Sequence, residues 1–209
     1  MPAVTISAGY GAGGSVIARA LAERLGYRLL DRAISSRVAD QLHVTVDEAV
    51  TGAMKRSLVE RFFGVLAPLA GGVIGLSEDP AESAPLAVND AAEFRKLANA
   101  IMLDALPGGA VILGRGGAAD LRLRPDVLRV RLFGPKDARI DQAARLEDID
   151  RETAAMRLRE VDQARAYYVR RLYGCDIDDP FLYHLHLDST QLSPAVCVDT
   201  IAAAFQVVR

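Results

Sequence analysis

The chain has 209 residues, 51% of them apolar and 25% charged, with a formal net charge of −2. That length supports one α/β domain with a sizeable core and is short for two. The near-neutral balance removes a nucleic-acid polymer as the obvious partner. The cysteines, 175 and 197, make neither a disulfide framework nor a metal-ligand set, which fits a reduced, cytoplasmic compartment.

"AVTIS" (3–7) reads as a short buried strand ended by glycines, entered with no basic or cleavable leader before it. "SVIARALAERLGY" (15–27) carries apolar residues at 16, 17, 20, 21 and 25, a helical face stopped by Gly26. "YRLLD" (27–31) reads as a second strand, and 32–42 and 46–54 as helices. Residues 55–88 are apolar but broken by glycine and proline, then loop-like. The stretch 62–76 is too short and too interrupted to span a membrane. Such a segment inside a compact domain reads as a mobile lid, a partner surface or a disordered insert, and Phe62 and Phe63 in it suit either a lid or a homodimer contact.

Periodicity resumes at 89–106, a helix with Asp90 as cap and Glu93 three residues on. "GGAVILGRGG" (108–117) is a strand between glycine turns, and "VLRVRLFG" (127–134) alternates as a strand. Two arginine-rich helices follow, 136–147 and 150–172. "YHLHLDS" (183–189) is the last strand, and Ser193 with Pro194 opens a final helix. Strands alternating with helices predict a three-layer αβα fold around a parallel sheet of about five strands. Its ligand site lies beyond the strands' carboxyl ends. The whole of 1–209 reads as one such domain, with 44–90 as an insert.

The first of those carboxyl ends is the stretch "SAGYGAGGS" (7–15), with glycines at 9, 11, 13 and 14. Closely spaced glycines let backbone N–H groups turn around an anion, and the following helix N-terminus favours its charge. Against the phosphate-loop spacing G-x-x-x-x-G-K-[ST], the chain has Ala8, Gly13, Gly14 and Ser15. The second glycine and the hydroxyl match, the first glycine is alanine, and the lysine is absent. A dinucleotide fingerprint stays open on the same residues, since Gly9, Gly11 and Gly14 have that spacing and Asp31 stands near the expected acid. Without the lysine, positive charge near a transferred phosphoryl group must come from elsewhere, and arginines 139, 145, 157 and 159 on the two rich helices are available.

With "SAGYGAGG" (7–14), "LGYRLLD", "VILGRGG" and "LDSTQLS" in view, the chain resembles the cytidylate kinase-like family. The resemblance implies a P-loop fold that binds ATP and Mg²⁺ and passes phosphate to a small nucleotide of the CMP or dCMP type. It places the donor phosphates on Gly9, Gly11, Ala12, Gly13, Gly14 and Ser15, with Ser15 facing the metal. It gives the acceptor phosphate to Arg37 and Arg115, and an aspartate–arginine pair, Asp162 and Arg165, to the acceptor ribose and phosphates. Asp31 joins the substrate-binding set, and Arg115, Arg165 and Asp162 form the catalytic one. Leu113 and Gly116 stand where related kinases carry acids, which leaves Asp31 and Asp104 as candidate metal-positioning carboxylates. Two other readings stand beside this one: a nucleotide-binding regulatory module without turnover, and a kinase for another small acceptor.

Overall fold

The structure is a computed structural model that describes residues 3–30, 95, 98–100 and 102–208. The expected helices at 32–42 and 46–54, the insert at 44–90, and Asp31, Arg37, Phe62, Phe63 and Asp90 lie outside the described residues.

Five strands build one sheet: β1 (Ala3–Ala8), β2 (Arg28–Leu30), β3 (Ala110–Leu113), β4 (Val127–Phe133) and β5 (Leu185–Asp188). Their order is β2-β3-β1-β4-β5 and every pairing is parallel. Ala3 stands beside Ala110 on one side and Val127 on the other. All five strands fall where the hydrophobic runs in the sequence put them.

The helices are α1 (Gly14–Leu25), α2 (Gly117–Asp120), α3 (Lys136–Glu147), α4 (Arg151–Tyr173) and α5 (Pro194–Phe205). Residues 98–100 and 102–105 are also helical, the end of the helix expected at 89–106. α5 begins as its sequence prescribes, with the Ser193 hydroxyl accepting from the Val196 N–H and Pro194 in the first turn. α1 stops at Gly26, which takes the left-handed conformation.

Side chains alternate across β1, so each face packs a different layer. Val4 and Ile6 meet Ile17 and Leu21 of α1 and Cys197 and Ile201 of α5. Ala3, on the other face, joins Ile112, Met102 and Leu172. A smaller cluster sets Tyr10 among Ile140, Ala143, Ala154, Leu158 and Val161, so the loop after β1 is packed against both arginine-rich helices. Burying such side chains is worth about 1.5–3 kcal/mol each, enough to hold the loop's surroundings rigid.

β1 lies between β3, reached through β2, and β4, reached from β3 by crossing over. The strand order therefore reverses beside β1. A crevice opens at such a reversal, at the strands' carboxyl ends.

Candidate functional site

Residues 9–13 connect β1 to α1 at that crevice. Gly11 and Gly13 have φ of 74° and 66°, and Gly13 caps the helix in the left-handed conformation. A Cβ at Gly11 would stand 2.1 Å from the Arg139 carbonyl oxygen, so only glycine lets the α3 backbone pass so close. The leading N–H groups of α1 have no intrahelical partners. Its first turn holds no acid to repel an anion, and Ser15 is exposed there.

The back of this loop is held by side chains from three directions. Asp162 of α4 accepts from the Tyr10 N–H at 2.8 Å and from Arg139 Nη1 at 2.7 Å. The same Arg139 nitrogen donates to the Tyr10 carbonyl at 3.0 Å, while its Nε donates to the Gly134 carbonyl at 3.1 Å. Arg165 Nη1 donates to the Ala8 carbonyl at 2.7 Å. From the end of β5, the buried Ser189 hydroxyl donates to the Ala12 carbonyl at 2.7 Å. Several of these bonds are charge-assisted, roughly twice as strong as neutral ones.

Tyr10 points away from the crevice. Its hydroxyl donates to Glu147 at 2.6 Å, and Glu147 also takes Arg157 at 2.8 Å. Burial, and then the Glu147 carboxylate, push the Tyr10 phenol well above its ordinary pKa, so it stays a neutral donor.

A second turn follows β3. Gly114, Arg115 and Gly116 have φ of 73°, 58° and 66°, three left-handed residues in succession. The Gly114 N–H donates to the Ile6 carbonyl at 2.8 Å, which fixes this turn next to the glycine loop. The Arg115 carbonyl accepts from Tyr173 at 3.1 Å and from Tyr168 at 3.4 Å. Arg95 lies over the Tyr173 ring at 5.9 Å. Burial pushes the Tyr168 phenol up to about 12. Arg115 thus holds a sparsely populated left-handed conformation at the carboxyl end of β3.

Arg115, Asp162 and Arg165 thus gather around the carboxyl ends of β1 and β3, as do residues 9–15. Both carboxylate oxygens of Asp162 are taken, one by the Tyr10 N–H of the loop and the other by Arg139. Asp104 is exposed and lies just before the 3-10 turn Leu106–Gly108 that leads into the amino end of β3, remote from the loop. Among the described residues no group of three or more His, Cys, Asp or Glu side chains gathers to hold a metal. Of the expected donor set, the Ser15 hydroxyl and the open N–H groups of α1 fit Mg²⁺–ATP.

Sequence reasoning missed the loop-holding roles of Arg139, Ser189 and Tyr10. Arg139 was visible as one arginine among several on a rich helix, and Ser189 lay inside "LDSTQLS", which reads as structural. A pattern along the chain does not announce which backbone carbonyl a distant side chain will reach.

The family model of the cytidylate kinase-like family matches residues 3–191. The chain belongs to the cytidylate kinase-like family. Its fold is that of the P-loop kinases. A protein from Eubacterium ventriosum is similar in structure, with a TM-score of 0.66, 18% identity and 98% of each chain covered. A gluconokinase from Sinorhizobium meliloti is similar at a TM-score of 0.54 and 12% identity, covering 98% of this chain and 91% of that one. No curated protein matches the chain. Among the described residues no helix is long and apolar enough to cross a membrane.

Proposed function

We propose that this member of the family is a cytoplasmic phosphotransferase that moves the γ-phosphate of ATP to a nucleoside monophosphate of the CMP or dCMP type. The observation that carries this reading is the adjacency of two turns at the strand-order reversal. One is a glycine loop opening onto the N-terminus of α1, and the other carries Arg115. The loop suits the donor's phosphates, because unpartnered N–H groups and a helix dipole converge there. Arg115, with Arg37, suits the acceptor's phosphate, where a planar guanidinium binds two oxygens at once.

In this reading an acceptor phosphate oxygen forms a bond to the γ-phosphorus while the bond to the β–γ bridging oxygen breaks, and ADP leaves with the electron pair. Mg²⁺ on Ser15 would neutralise developing charge. The chain's own part is to hold the two phosphates in line and to keep its donors fixed, since phosphoryl transfer needs positioning more than covalent chemistry. Asp162, Arg139 and Ser189 fix the loop so that little reorganisation is left for the reaction itself.

The glycine at 14 favours a second reading, a regulatory module that binds nucleotide without turnover. Incubation with ATP, Mg²⁺ and a panel of nucleoside monophosphates, with the nucleotides separated afterwards, decides between them. New diphosphate from CMP, dCMP or UMP, abolished by Arg115→Gln in a folded variant, supports the transferase. ATP binding with no product from any acceptor in the panel supports the module.

A further inference from the structure

Most supports of the glycine loop grip its main chain: Arg165 at Ala8, Asp162 and Arg139 at Tyr10, and Ser189 at Ala12. Tyr10 adds a support of another kind. Its ring lies buried between α3 and α4, among Ile140, Ala143, Ala154, Leu158 and Val161. Its hydroxyl reaches Glu147, the last residue of α3, at 2.6 Å. The same Glu147 oxygen accepts from Arg157 of α4 at 2.8 Å.

Packing does not require the hydroxyl bond. The cluster around the ring is apolar, and a phenylalanine would fill it. Glu147 does not need the bond for solvation either, since its side chain is 33% exposed. A carboxylate at the last residue of a helix opposes the partial negative charge there, so α3 gains nothing from Glu147 at its end. Asp148 follows in the left-handed conformation, with φ of 51°, and the chain turns there into α4. The acid thus stands against the preference of its own helix, at the point where Tyr10, α3 and α4 can be joined.

We propose that Tyr10 is a positioning residue of the glycine loop that acts through Glu147. The bond fixes residue 10 between the two helices and so holds the N–H groups of Gly11, Gly13, Gly14 and Ser15 set for an anion before it arrives. This rests on the reading above that donor phosphates bind at 8–15. The Tyr10 N–H is itself taken by Asp162 at 2.8 Å, so residue 10 serves as the anchor and the anion-receiving groups begin at Gly11. Gly11 and Gly13, both at positive φ, are the residues about which an unanchored loop would turn. Anchoring one side of them removes alternative shapes that an incoming phosphate would otherwise have to suppress, and affinity rises accordingly. A ring that only filled space would stabilise the fold without changing how the folded chain binds.

The test is calorimetric titration of the full chain with inorganic tripolyphosphate, each variant first shown to be folded by its unfolding transition. Tyr10→Phe keeps the ring and is expected to weaken tripolyphosphate about fivefold. Glu147→Ala is expected to weaken it by a similar factor. Glu147→Gln still accepts from the phenol and is expected to recover affinity to within about twofold of the parent. Adding Glu147→Ala to Tyr10→Phe should weaken binding by less than about twofold more, because the two side chains act through one bond. Parent-level affinity in a folded Tyr10→Phe, or two losses that multiply in the double variant, would overturn the inference and leave the donor-phosphate reading standing. If Tyr10→Phe does not fold, Glu147→Ala and Glu147→Gln decide, and equal affinity in the two folded variants would overturn it. A parent chain that does not bind tripolyphosphate would overturn both.

Discussion

Ala8 and Gly14 are a complementary pair: the Cβ present at the first excludes any Cβ at the second, which would stand 2.5 Å away. Relative to the usual loop, the chain has lost a glycine at one position and a lysine at the other. The two departures are one packing change seen twice. Gly14→Lys alone is expected to lower stability by about 1–3 kcal/mol through overpacking. Ala8→Gly in the same chain should recover most of that loss, and thermal unfolding of the two single variants and the double one measures it.

Asp162 joins α4 to both the loop and Arg139, whose side chain is only 14% exposed. Removing the carboxylate leaves a largely buried cation without this partner and weakens the hold on Tyr10. Asp162→Ala is expected to cost about 2–4 kcal/mol. A double-mutant cycle with Arg139→Ala should give a coupling energy of about 1–3 kcal/mol, whereas independent sites would add within about 0.5 kcal/mol.

The fold was largely legible in the sequence because its signals are local. The strands at 3–7 and 127–134 are marked by apolar runs, α1 by its apolar face and Gly26, and α5 by Ser193 and Pro194. The position of the glycine turn was legible for the same reason, since closely spaced glycines between a strand and a helix mark a sharp connection. The supports of the loop were not. Arg139, Asp162, Arg165 and Ser189 come from three later elements and meet the loop only after the sheet has assembled. The resemblance singled out Asp162 and Arg165, but for an acceptor's ribose and phosphates, and their bonds to the Tyr10 N–H and the Ala8 carbonyl were not legible in their spacing.

The turn after β3 allows a paired comparison. A Cβ at Gly116 would stand 2.1 Å from the Tyr173 ring, whereas one at Gly114 meets nothing within 4 Å among the described residues, and both have positive φ. Alanine at either is strained by about 1 kcal/mol or more. Gly116→Ala should cost about 1–3 kcal/mol beyond Gly114→Ala, because it also displaces the ring that holds the Arg115 carbonyl. Denaturant unfolding of both variants checks the order, and the reverse order would contradict the packing described for this turn.

Three phenols, those of Tyr10, Tyr168 and Tyr173, are raised by burial from the ordinary value of 10.0, that of Tyr168 to about 12. A phenol held above its unfolded pKa keeps its proton more tightly in the native state. Its stabilisation is complete below pH 10 and is lost as pH rises above that. Tyr168 alone should account for about 2–3 kcal/mol lost by pH 12. Unfolding free energy followed from pH 8 upward should be level with respect to these groups and then fall, with a shallower fall in Tyr10→Phe. An identical fall in Tyr10→Phe would remove Tyr10 from the account.

The central claim is that backbone N–H groups of the glycine loop receive the donor's phosphates. Amide resonances of an isotopically labelled chain titrated with Mg²⁺–ATP test it most directly. The account predicts that the amides of Gly11, Gly13, Gly14 and Ser15 shift together and first, with the Tyr10 amide, already bonded to Asp162, moving less. Saturable ATP binding that shifts other amides and leaves these four in place would contradict it.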